Sequence, residues 1–149
     1  MRHGFYASSA LSMNARAFGS GALLAPEDGK VAWTTHDDLA AADASLLVGT
    51  KVIDGPTQPL TGTEALDLTD LARLAGEILG KPVVRSFVTE QELEISARNA
   101  GVPEGSIAVM LGYYRAARAG EFESVDPTLA GIIGRSPQTM RSFMEENLK

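Results

Sequence analysis

The sequence has no cysteine. That excludes disulfides, thiolate nucleophiles and every zinc site that needs sulfur, and it suits a reducing compartment. Histidine is nearly absent as well: His3 and His36 are the only two, too few for a multi-histidine metal centre, so no metal is expected. Positive charge is in deficit, with 13 Lys and Arg against 19 Asp and Glu and a net charge of -6. A nucleic-acid backbone would gain little from so acidic a surface, and nucleic acid is not an expected ligand. Long apolar runs are missing too. The first 25 residues are interrupted by Ser, Asn, Arg and Gly, which argues against a signal peptide or a membrane span and leads us to expect a cytoplasmic protein with no membrane partner. What is present is 149 residues, 44% of them apolar, enough for one good core, so residues 1–149 are expected to form a single domain.

Punctuation by glycine, proline and capping residues divides the chain. The spacing of Ala10, Leu11, Met13, Ala17 and Phe18 predicts a helix over residues 7–18, stopped at Gly19-Ser20-Gly21. Residues 22–25 and 30–34 flank Pro26-Glu27-Asp28-Gly29 and predict a hairpin. Asp37 or Asp38 is expected to cap an alanine-rich helix running to about Val48, and residues 51–54 a short strand. Asp67 with Asp70 approximates a capping arrangement for a helix over 68–79, residues 82–88 suggest a strand, and Thr89 with Glu92 is a capping box ahead of a helix over 90–100. Pro103 suits the first turn of a helix ending near Gly120. Asp126-Pro127 and Ser136-Pro137 are expected to open two more. A few short strands and about six helices have an α+β appearance, or that of a piece of an α/β sheet.

Few side chains combine into recognisable chemistry. Gly19-Ser20-Gly21 begins a dinucleotide-binding pattern, but Leu24 stands where the third glycine belongs and a helix precedes it instead of a strand. His36-Asp37-Asp38 would serve as a carboxylate-oriented base or half a metal site, or simply as a helix start. Tyr113, Tyr114, Arg115 and Arg118 share one helix and could clamp a planar anion, with Tyr113 and Arg115 as the contacts; the two tyrosines are not expected to face inward together. No tyrosine is followed four residues later by lysine, so the Tyr-x-x-x-Lys proton relay of many reductases is absent. In His3-Gly4-Phe5-Tyr6, a glycine between an imidazole and two rings suits either the wall of a pocket for a small planar molecule or ordinary core packing.

Arg2-His3-Gly4-Phe5-Tyr6, then Asp38-Leu39-Ala40 before an alanine-rich helix, then Thr61-Gly62-Thr63-Glu64-Ala65-Leu66 leading to Leu79-Gly80-Lys81-Pro82-Val83, together resemble the C-terminal portion of NmrA-like proteins. These are atypical short-chain dehydrogenases similar to NAD(P)H:quinone reductases. Gly134-Arg135-Ser136-Pro137 followed by Phe143 resembles the closing helix of that family. The resemblance implies the helix-rich C-terminal part of a Rossmann-like α/β fold, with His3, Gly4, Phe5 and Tyr6 at the cofactor and substrate cleft and NAD(P)H as the cofactor.

The family carries its glycine-rich loop in an N-terminal half that precedes the position of Arg2. The chain is therefore expected to hold the substrate-side region of an NAD(P)H-dependent oxidoreductase of quinone-type substrates, unable alone to bind dinucleotide or transfer hydride. A truncated product and a stand-alone descendant both fit. The contrasting expectation is a non-catalytic ligand-binding, regulatory or dimerisation module. Removing neighbouring strands would leave sheet edges open, so a homo-oligomer, most simply a dimer, is expected.

Overall fold

A computed structural model describes residues 2–49 and 55–148. Two parallel ribbons of two strands each organise them. In the first, β1 (Arg2–His3) lies beside β3 (Pro59–Leu60). In the second, β2 (Ala22–Ala25) lies beside β4 (Val84–Phe87), with Ala22 opposite Val84 and Ala25 opposite Phe87. Around them stand α1 (Ala7–Ser20), α2 (His36–Val48), α3 (Leu68–Leu79), α4 (Glu90–Asn99), α5 (Glu104–Arg118), α6 (Thr128–Ile133) and α7 (Met140–Asn147). The fold is thus an α/β fragment of the Rossmann-like kind, with short parallel strands and, among the described residues, seven helices. None of these helices is long and apolar enough to cross a membrane.

Local sequence accounts for many of the boundaries. Asp67 accepts N–H bonds from Thr69 and Asp70 while the Asp70 carboxylate reaches back to the Asp67 N–H, a complete capping box for α3. Thr89 and Glu92 do the same for α4. α1 ends at Gly21 and α3 at Gly80, both in the left-handed region that glycine enters freely.

Three expectations need correction. Residues 30–34 do not fold back on β2 as a hairpin: β2 takes β4 instead, and Val31 exchanges two backbone hydrogen bonds with Leu66. The intervening turn is pulled inward. A Cβ on Gly29 would lie 1.9 Å from the Ala117 carbonyl oxygen, and the Asp28 carboxylate is buried in an ion pair with Arg85, at 2.7 Å. Second, α2 is capped by Thr35, whose hydroxyl accepts the Asp38 N–H, so Asp38 sits inside the first turn. Third, α7 begins at Met140 behind the cap Thr139, later than Ser136-Pro137 suggests. Gln138 donates its N–H to Asp38 at 2.7 Å, which holds the approach to α7 outside the helix. The strand expected at 51–54 lies outside the described residues.

The main core gathers Phe18, Leu23, Val31, Trp33, Leu71 and Tyr114 from α1, β2, α3, α5 and the segment before α2. A second, smaller cluster joins Leu39 and Ala42 of α2 to Leu60 and to Leu129 of α6. Asp38, fully buried, ties this cluster to the chain leading into α7: it pairs with Arg135 at 2.6 Å and accepts the Gln138 N–H.

Candidate functional site

The segment from β1 into α1 is held by backbone on both sides. Gly4 donates its N–H to the Leu60 oxygen at 2.8 Å, and Thr34 donates to the Phe5 oxygen at 2.8 Å. A Cβ at position 4 would meet the Leu60 oxygen at 2.7 Å and Thr34 Oγ1 at 2.8 Å. Glycine is required here by the chain's own close approach to β3, independently of any ligand. Phe5 then turns inward onto three rings: Trp33 edge-on with centroids 5.5 Å apart, Tyr113 at 5.3 Å and Phe122 at 5.0 Å.

Beside this aromatic group opens a hollow of about 280 Å³, lined by His3, Gly4, Phe5, Pro59, Phe122 and Ser124, among others. His3 Nε2 lies 3.1 Å from Asp43 Oδ1, which orients the imidazole at the rim. Tyr6 is not among the hollow's lining residues. Its exposed ring lies on His36 with centroids 4.5 Å apart, and Ser8 Oγ stands 3.4 Å from His36 Nδ1. Three of the four expected wall residues therefore share one hollow, and the fourth belongs to a small Tyr6, His36 and Ser8 patch. Trp33 and Phe122 complete the aromatic group from far along the chain, and only the isolated aromatic identity of each marks them in the sequence.

On α5 the structure overturns one expectation: Tyr113 and Tyr114 are both buried, at 6% and 5% exposure. Adjacent helical positions diverge by roughly 100°, and each meets a different wall. Tyr113 faces Phe5, Trp33 and Phe122, whereas Tyr114 faces a hollow beside α1, β2 and α4. Burial, reinforced by the negative charge of Asp28, pushes the Tyr114 phenol up to about 12, and the same causes move Tyr113 in the same direction. Both remain protonated at ordinary pH. Arg115 points away from Tyr113 and binds Glu90 of α4, with contacts of 2.9 and 2.7 Å, and Arg118 binds the same carboxylate. These arginines join α5 to α4 and do not converge with the tyrosines on one ligand. Glu90 is held below the ordinary carboxylate range, first by its Arg115 hydrogen bonds and then by Arg118.

A dinucleotide phosphate needs backbone N–H groups at the start of a helix. Gly19-Ser20-Gly21 sits at the opposite end, closing α1, where Gly21 N–H is spent on the Ala17 oxygen and the Gly19 oxygen accepts the Lys81 ammonium. These residues do not fit a pyrophosphate.

No family model matches the chain. It is 26% identical over 132 residues to an NmrA-like family domain-containing oxidoreductase of Aspergillus flavus, covering 84% of this chain and 43% of that protein. Among solved structures it is similar to an NADPH-dependent quinone oxidoreductase of Escherichia coli complexed with NADPH, with a TM-score of 0.90, 26% identity, and coverage of 99% of this chain and 52% of that one. A triphenylmethane reductase of Citrobacter sp. matches with a TM-score of 0.83 and 26% identity, over 99% of this chain and 51% of that one. The chain spans about half the length of the proteins it matches. The chain is thus similar to NmrA-like oxidoreductases over about half their length, an extent consistent with the C-terminal portion of such a protein.

Proposed function

We propose that the chain forms the substrate-side wall of an NAD(P)H-dependent oxidoreductase for quinone-type substrates, and that alone it neither binds the dinucleotide nor transfers hydride. The observation that carries this reading is the hollow beside β1, where Phe5 and Phe122 offer flat apolar surface and His3, oriented by Asp43, offers an imidazole. A few polar groups in an apolar concavity suit the binding and orientation of a planar carbonyl compound. NAD(P)H would supply hydride in such a reaction. The only glycine-rich stretch of the expected kind closes a helix instead of opening one, which supports the second half of the proposal.

Trp33, the single tryptophan, packs edge-on against the same Phe5 and makes the test direct. Titration with 1,4-naphthoquinone should quench its fluorescence saturably, and Phe122→Ala should weaken that binding. NADPH should show no saturable fluorescence change and no quinone-dependent loss of absorbance. Absence of saturable quenching would overturn the binding half of the proposal, and turnover at ordinary enzyme rates, about 1 per second or more, would overturn the other half. We propose further that the chain associates with itself, because ribbons of only two strands leave edges open. Light scattering at micromolar concentration should then give a mass above that of the monomer, and a monomeric mass would refute it.

A further inference from the structure

The largest hollow among those described lies elsewhere, between α1, β2, α4 and α5, with a volume of about 770 Å³. Volumes of about 300–1,000 Å³ are usual for small-molecule sites. Its lining is mainly apolar, and three large side chains left exposed by the fold, Met13, Leu24 and Val109, converge on it. Met13 and Met110 bring polarisable sulfur, which favours contact with aromatic rings.

Two buried polar side chains interrupt this lining. Tyr114 contributes a phenol that stays protonated; its ring is buried, while its hydroxyl is not among the buried atoms left without a partner and is therefore open to the hollow. Asn14 spends its Nδ2 on the Ala10 oxygen at 2.9 Å, so what it retains is the Oδ1 acceptor. A donor and an acceptor facing an apolar hollow without a protein partner give a ligand two points that fix its orientation. Arg16 is the only charged residue of the lining, so the hollow holds no carboxylate to repel an electron-rich ring.

We propose that this hollow is a binding site for a hydroxyl-bearing aromatic ketone, its carbonyl accepting from Tyr114, its hydroxyl donating to Asn14, and its rings lying among Met13, Leu24, Val109 and Met110. The site is separate from the His3, Gly4 and Phe5 hollow, shares none of its lining residues and does not depend on the function proposed for it.

Calorimetric titration with 4-hydroxybenzophenone at pH 6.5, where the probe is neutral, tests the proposal. Tyr114→Phe keeps the ring and removes only the donor, and should weaken binding about tenfold. Val109→Glu, at a position 75% exposed and so harmless to the fold, should weaken it at least as much. Diphenylmethane, which has the rings without the carbonyl or the hydroxyl, should bind more weakly to the wild type and equally to wild type and Tyr114→Phe. Phe122→Ala, which alters the other hollow, should leave the affinity unchanged. Melting curves check that each variant is folded. The proposal is overturned if 4-hydroxybenzophenone does not bind, if Tyr114→Phe binds it as tightly as the wild type does, or if Phe122→Ala removes the binding. It is equally overturned if Val109→Glu acts by dissociating a dimer seen in light scattering, which would assign the groove to a second copy of the chain.

Discussion

Tyr113 carries a hydroxyl into the aromatic group around Phe5 without a hydrogen-bond partner among the described residues. An unsatisfied buried hydroxyl costs about 1–3 kcal/mol, so Tyr113→Phe should raise stability, by about 1 kcal/mol, in urea unfolding; a loss of stability would show that the hydroxyl is satisfied. Alkaline pH tests the same phenols. Their protons are held more tightly in the folded chain than in the unfolded one, where tyrosine titrates near pH 10. Their stabilisation is therefore complete below about pH 10 and declines as pH rises towards the folded value of about 12 for Tyr114. Tyr114→Phe should make that decline shallower, measured as urea midpoint against pH between about 9 and 11. At this scale the sequence marked the aromatic residues as a set without saying which would meet. Phe5 and Phe122 are more than a hundred positions apart, and only the closed fold brings them to 5.0 Å. Gly4 was legible as a site of close backbone approach, although what approaches it is Leu60.

Elements were legible where their signals are local. The capping boxes at Asp67 and Thr89 and the glycine stops at Gly21 and Gly80 are contained in four or five residues each, and each stands where the spacing placed it. The hairpin failed because its outcome was decided by a residue 57 positions beyond Asp28. Arg85 of β4 donates to Asp28, to the Pro26 oxygen at 2.9 Å and to Thr69 Oγ1 at 2.8 Å, drawing the turn after β2 against α3 and leaving β2 to pair with β4. Asp28 and Arg85 side chains are only 3% and 6% exposed, so removing one partner strands a buried charge. Arg85→Leu should therefore cost about 3 kcal/mol or more in chemical unfolding. Because the penalty lies in the orphaned carboxylate, Arg85→Leu combined with Asp28→Asn should recover much of that loss. A double variant as unstable as the sum of the two single ones would show that the pair acts through its geometry instead.

For the molecule as a whole, the resemblance of ordered short motifs conveyed the architecture, since strand pairing over such distances cannot be read from periodicity. The division into two apolar clusters was not visible in the sequence, because Asp38 looked like a helix cap. In the fold it is a buried link: it accepts from Thr35 Oγ1 at 2.8 Å and from the Gln138 N–H at 2.7 Å and pairs with Arg135, fastening α2, and with it the cluster of Leu39, Leu60 and Leu129, to the approach to α7. The smaller cluster has few apolar contacts of its own, so regions of this kind open before the global transition. Asp38→Asn keeps the shape of the side chain and removes the charge that Arg135 meets. It should leave hydrogen-exchange protection in α3 and α5 nearly unchanged while lowering it in α2 and α6 by an order of magnitude or more. Uniform loss across all four helices would mean that the two clusters melt as one unit, and that Asp38 supports the whole fold instead of joining two parts of it. The Arg2–His3 strand pairs with Pro59–Leu60, whose Leu60 belongs to the smaller cluster, so local opening there would also loosen the floor of the hollow beside Gly4. Quenching of Trp33 by 1,4-naphthoquinone should accordingly weaken in Asp38→Asn even though Asp38 is not among the residues that line the hollow.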